Sequence, residues 1–146
     1  MASTKEVQEK LIADMRKWQK IEDASVSSTA AVIQKTSNPL IRTVMEIIQR
    51  DSMMHYRVQG LIADSYDRFP VTLEPEELAD VWGAIENHIA IEKKMVGAVR
   101  ETLEAVKGKK MVVAEYLLNY LKRDEDKHDE LLADLEKVKK GMYPGG

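Results

Sequence analysis

Arg123-Asp124-Glu125-Asp126-Lys127-His128 and Arg50-Asp51-Ser52-Met53-Met54-His55 are two versions of one pattern: an Arg-Asp pair with a histidine four residues after the aspartate. Each lies inside a long stretch whose apolar residues recur at steps of three and four, the period of an amphipathic helix. In the first-quoted segment Glu125 and His128 stand i, i+3, so a carboxylate and an imidazole project from the same helix face. Ser52 occupies the place of that glutamate in the other segment. Two of the three histidines therefore share one context, and the chain reads as a duplicated helical hairpin with a polar site complete on one side and altered on the other.

The same periodicity covers almost the whole chain, and seven glycines, four prolines and few alternating β-branched runs leave little room for strands. The fold class expected is all-α. A first helix is expected from about Ser3 to Thr36, with a stripe of Val7, Leu11, Met15, Trp18, Glu22, Val26, Thr29 and Ile33 ended by Ser37-Asn38-Pro39. A second starts near Pro39, carries Ile41, Met45, Ile48, Ser52, His55, Gln59 and Ile62, and fades between Gly60 and Phe69. After Pro70 to Pro75, a third helix shows Leu78, Trp82, Ile85, Ile89, Glu92, Val96, Val99, Leu103 and Val106 on one face. A basic turn at Lys107-Gly108-Lys109-Lys110 precedes a fourth, with Val113, Leu117, Leu121, Glu125, His128, Leu132, Leu135 and Val138, which stops before Gly141. Four helices of about thirty residues, each about 45 Å long, follow. One four-helix bundle domain over residues 1–141 and a loose tail over 142–146 are expected.

A chain of 146 residues is of single-domain size and can bury a core without covalent staples. The absence of cysteine removes disulfides, thiolate zinc sites, iron–sulfur clusters and cysteine nucleophiles, so any metal must be held by oxygen and nitrogen. The net charge of -3 arises from 22 basic and 25 acidic residues that are interleaved, with no basic field for nucleic acid or anionic lipid. No uncharged apolar run approaches the roughly 20 residues that span a bilayer. Expected, then, are no nucleic-acid partner, no membrane and a cytoplasmic location.

Short links after the first and third helices force antiparallel hairpins, in which residues equally far from a turn share a level. Glu22 lies 16 residues before Asn38 and His55 lies 17 after it; Glu92 lies 16 before Gly108 and His128 lies 20 after it. Each hairpin thus sets a glutamate beside a histidine, and the bundle core would gather Glu22, His55, Glu92, Glu125 and His128. Isolated buried charges cost several kcal/mol, so something must compensate them. Iron or manganese accepts such carboxylate and imidazole ligands, and zinc would fit as well.

One glutamate on each of two helices, with an ExxH on each of the other two, is the ligand set of ferritin-like di-metal carboxylate proteins, and the chain resembles this ferritin-like, rubrerythrin-like family over nearly its whole length. The resemblance implies a ferritin-like bundle, with a simple up-and-down bundle as the alternative. It implies Glu22 and Glu92 as single carboxylates, Glu125 and His128 as a full ExxH, and His55 as the surviving half of the other. Asp51 and Asp124 then match the aspartate that in several members precedes ExxH and bonds a ligand imidazole, and Asp51 is also a substitute ligand. Iron or manganese oxidase, peroxidase or ferroxidase chemistry with a small-molecule oxidant is implied, and bundles of this kind commonly pair, so a homodimer is expected.

The departure is Ser52, which cannot supply a bridging charge and leaves a dinuclear centre and a single metal on Glu92, Glu125 and His128 as alternatives. His88, one turn before Glu92, is a further ligand or a hydrogen-bond partner. Glu86 competes with Glu92, because Trp82 to Glu86 echoes Trp18 to Glu22, although stripe and level favour Glu92. A metal-free helical scaffold or dimerisation protein, in which these groups are satisfied core contacts, is the competing reading.

Overall fold

The structure, a computed structural model, describes residues 1–142; the tail expected over 142–146 falls, apart from the backbone of Met142, outside the described residues. The all-α expectation is met: the described residues form four helices, α1 (Thr4–Lys35), α2 (Pro39–Asp67), α3 (Pro75–Val106) and α4 (Val112–Met142), and contain no strand. The chain divides into two compact units, Met1–Thr72 and Leu73–Gly146, each organised around one helical hairpin.

Helix ends follow local side-chain chemistry. Ser3 Oγ accepts from the Glu6 amide at 3.1 Å and starts α1. Asn38 Oδ1 accepts from the Leu40 and Ile41 amides at 3.0 and 3.1 Å, and Pro39 sits in the first turn, where its missing N–H costs nothing. Glu74 and Glu77 form a reciprocal capping box ahead of α3. The second tight link uses two left-handed residues, Gly108 (φ 72°) and Lys110 (φ 59°), to turn α3 into α4.

α2 ends at Asp67, within the range expected between Gly60 and Phe69, with Ala63 fully buried in its last turns. One helix end differs from the periodic reading. α4 passes through Gly141 to Met142, since a glycine weakens a helix by only about 1 kcal/mol and need not end it.

The two hairpins are joined by different means. In the first, Met15 and Ala63 are buried together with the polar Gln19, Thr29 and Ser52, and several side-chain hydrogen bonds cross between the helices. Arg16 Nη2 donates to Asp64 Oδ1 at 2.6 Å, Gln19 Nε2 to the Tyr56 carbonyl at 3.1 Å, and Gln49 Nε2 to the Val26 carbonyl at 3.3 Å. Arg42 Nη1 closes the turn by donating to the Ile33 and Thr36 carbonyls at 2.8 and 3.1 Å, partnering groups that the end of α1 leaves open. Gln19 reaches α2 because residue 60 is glycine: a Cβ there would lie 2.8 Å from Gln19 Nε2. In the second hairpin the buried residues are Leu78, Trp82 and Val99 together with Glu92, and Lys139 Nζ stands 4.8 Å from the centre of the Trp82 ring.

Candidate metal centre

Glu92 is the only buried charged residue among the described residues, with 6% of its surface exposed. It continues the stripe of Leu78, Trp82 and Val99 on α3, so the packing that buries those residues buries its carboxylate as well. From α4, His128 presents Nδ1 at 3.5 Å from Glu92 Oε1 and 3.8 Å from Glu125 Oε2. One ligand atom from each of Glu92, Glu125 and His128 lies within 4.8 Å of the others. Ligand atoms bound at about 2.1 Å around one ion sit about 3 Å apart, so small side-chain rotations would bring the three onto a common centre.

The other face of the imidazole is also engaged. His128 Nε2 lies 3.4 Å from Asp124 Oδ2, while Lys127 Nζ approaches Asp124 Oδ1 at 2.8 Å. The ring thus has one nitrogen toward the two glutamates and the other toward a carboxylate, an orientation that suits a ligand held by a neighbour. Which nitrogen bears the proton depends on the tautomer.

The two oxygens of Glu92 differ. Oε1 lies 2.9 Å from His88 Nε2, one turn earlier on α3, whereas Oε2 is buried without a hydrogen-bond partner. With both glutamates ionised nothing donates to Oε2. The neighbouring Glu125 carboxyl, sharing a hydrogen bond with this carboxylate, holds Glu92 below the ordinary glutamate range, with His88 and His128 helping, against burial that pushes it up. Correspondingly, the Glu92 carboxylate, with burial, pushes Glu125 above it. A proton held between the two carboxyl groups, or a metal ion, would offset their mutual repulsion. An open hollow of about 430 Å³ lined by His88, Glu92, His128, Leu131 and Leu132 adjoins it.

In the first hairpin His55 Nδ1 lies 3.3 Å from Glu22 Oε2, so these two side chains meet across α1 and α2. The position matching Glu125 is closed off: Ser52, 5% exposed, shares a hydrogen bond of 2.7 Å with Ser25 Oγ. Ser25 was not singled out by the sequence pattern, although it lies three residues after Glu22 and hence on the same face. Despite the approach of His55, Glu22 Oε2 makes no hydrogen bond, and Gln59 Oε1 is likewise buried without one. Asp51 is exposed, and the residue that meets His55 is Glu22. Glu86 is exposed and accepts from Trp82 Nε1 at 2.9 Å, so of the two competing glutamates it is Glu92 that joins Glu125 and His128.

Comparison with known protein families, with curated proteins and with solved structures finds no match.

Proposed function

We propose that this chain is a ferritin-like metalloprotein whose second hairpin binds one iron or manganese ion through Glu92, Glu125 and His128. The observation that carries this reading is the buried, partnerless Oε2 of Glu92 beside a second carboxyl group and an imidazole. Such an oxygen costs about 1–3 kcal/mol, and more when charged, unless something positive meets it. The donor set, two carboxylates and one neutral nitrogen with no sulfur, suits hard to borderline divalent cations.

Iron or manganese held there would supply redox chemistry toward oxygen or peroxide. The chain's own groups set the conditions. Glu92 and Glu125 provide up to two negative charges, His128 offers Nδ1, and Asp124 stands at Nε2 to orient the ring. The hollow bordered by Leu131 and Leu132 gives a small oxidant a largely apolar approach. The Ser25–Ser52 hydrogen bond favours one ion per chain over two, because the first hairpin offers only Glu22 and His55 at the corresponding level.

The test is anaerobic loading with ferrous iron or manganese, removal of unbound metal, and elemental analysis per chain. One equivalent retained by the wild type and lost in Glu125→Ala and His128→Ala is expected. No retained metal, with no metal-dependent rise in melting temperature, would instead make the chain a metal-free scaffold.

A further inference from the structure

We infer that His88 is a positioning residue for the metal centre: it holds Glu92 by Oε1 and so fixes the carboxylate that meets Glu125 and His128. The inference rests on the metal-binding reading above, and its own basis is the asymmetry of the Glu92 carboxylate. His88 Nε2 stands 2.9 Å from Oε1, the oxygen that His128 Nδ1 approaches at 3.5 Å from the other side of the hairpin, while Oε2 has no donor. An ionised carboxylate only accepts, so His88 donates its Nε2–H in this contact.

His88 is absent from the group whose atoms converge within 4.8 Å, which separates its role from that of His128. His88 and Glu92 are i, i+4 on α3, a spacing at which side chains meet on one helix face, so the contact is set by the helix itself. A buried glutamate has three side-chain torsions to restrain, and a hydrogen bond to one oxygen fixes the plane in which the other is presented. The first hairpin lacks this device, since Trp18 stands four residues before Glu22. His88 is itself more than half exposed at its side chain, so core packing does not account for an imidazole at this position.

The experiment titrates Mn(II) into wild type, His88→Ala and His88→Gln at neutral pH, reading free ion by electron paramagnetic resonance and coordinated nitrogens by pulsed methods. Wild type should bind one ion with one coordinated imidazole. His88→Ala should bind about tenfold more weakly, in line with the effect of other groups that support a ligand, with stoichiometry and nitrogen count unchanged. His88→Gln, whose amide can donate to Oε1, should recover most of the affinity; circular dichroism should be the same for all three. Equal affinity in His88→Ala and wild type would overturn the role of His88 while leaving the metal site standing. Loss of a coordinated nitrogen in His88→Ala would overturn it by making His88 a ligand. Absence of Mn(II) binding to wild type would overturn the metal site and this inference together.

Discussion

Replacing Glu92 with leucine should make the metal-free protein more stable, and the size of the effect follows from the surroundings of the side chain. Removing the partnerless Oε2 relieves about 1–3 kcal/mol of uncompensated desolvation. Against this stand the contact with His88, worth about 1 kcal/mol, whose imidazole is exposed enough to turn to water, and the approaches of Glu125 and His128, which leucine also removes. Leucine adds apolar burial in a stripe already formed by Leu78, Trp82 and Val99. The net expectation is stabilisation of about 1–2 kcal/mol, in keeping with other buried charges exchanged for apolar groups. With a urea slope of about 2 kcal/mol/M, the midpoint should rise by about 0.5–1 M in the presence of chelator. Manganese at one hundred times its dissociation constant should stabilise wild type by about 2.7 kcal/mol and Glu92→Leu not at all, so the order of stabilities should invert when metal is added. Urea unfolding followed by far-ultraviolet circular dichroism, with and without Mn(II), measures both quantities. A metal-free Glu92→Leu protein weaker than wild type by 1 kcal/mol or more, with no metal effect on either, would refute the reasoning.

Metal affinity should rise with pH up to the raised value of Glu125 and then level off as far as this group is concerned, because its proton competes with the ion; proton release measured during Mn(II) titration checks it. In the chelated protein Glu125 contributes stability below 4.5 that is lost as pH rises through its raised value, and Glu92 contributes stability above 4.5 that is lost as pH falls through its lowered value, so the pair's contribution should peak near 4.5 in a pH series of melting temperatures. Ser52→Glu should cost about 2–4 kcal/mol without metal, by breaking the Ser25 contact and burying a charge near Glu22, and should raise bound Mn(II) from one to two per chain by elemental analysis. Asn38→Ala, which leaves the Leu40 and Ile41 amides uncapped, should lower unfolding free energy by about 1 kcal/mol in urea titrations.

What could be read from the sequence was whatever is decided locally. Ser3, Asn38-Pro39 and Gly108 mark helix ends because caps and left-handed turns act within a few residues. The stripe of α3 was legible because apolar residues fill it, and Glu92 stood out as the charge within it. The stripe of α1 was harder: Trp18 is 48% exposed and its neighbour Gln19 is buried. Hydrophobicity alone assigns the tryptophan inward, whereas the structure gives the glutamine a carbonyl on the opposite helix. Counting from the turns set Glu22 at the level of His55 and Glu92 at that of His128, and these side chains approach to 3.3 and 3.5 Å. The unequal treatment of the two Glu92 oxygens was invisible, since it depends on torsion angles that no spacing encodes.

The close approach of Gln19 to Gly60 acts as a notch. The tight turn sets the level of the two helices, and a seam of adaptable polar side chains holds it less sharply than interlocked apolar ones. α1 has no glycine and α2 has one, so a single axial alignment lets Gln19 lie against bare backbone and donate to Tyr56. Slippage in either direction would drive that amide into a side chain and carry His55 away from Glu22. A residue with no side chain, five positions beyond the histidine, thereby indexes the whole first hairpin like a detent on a sliding rule.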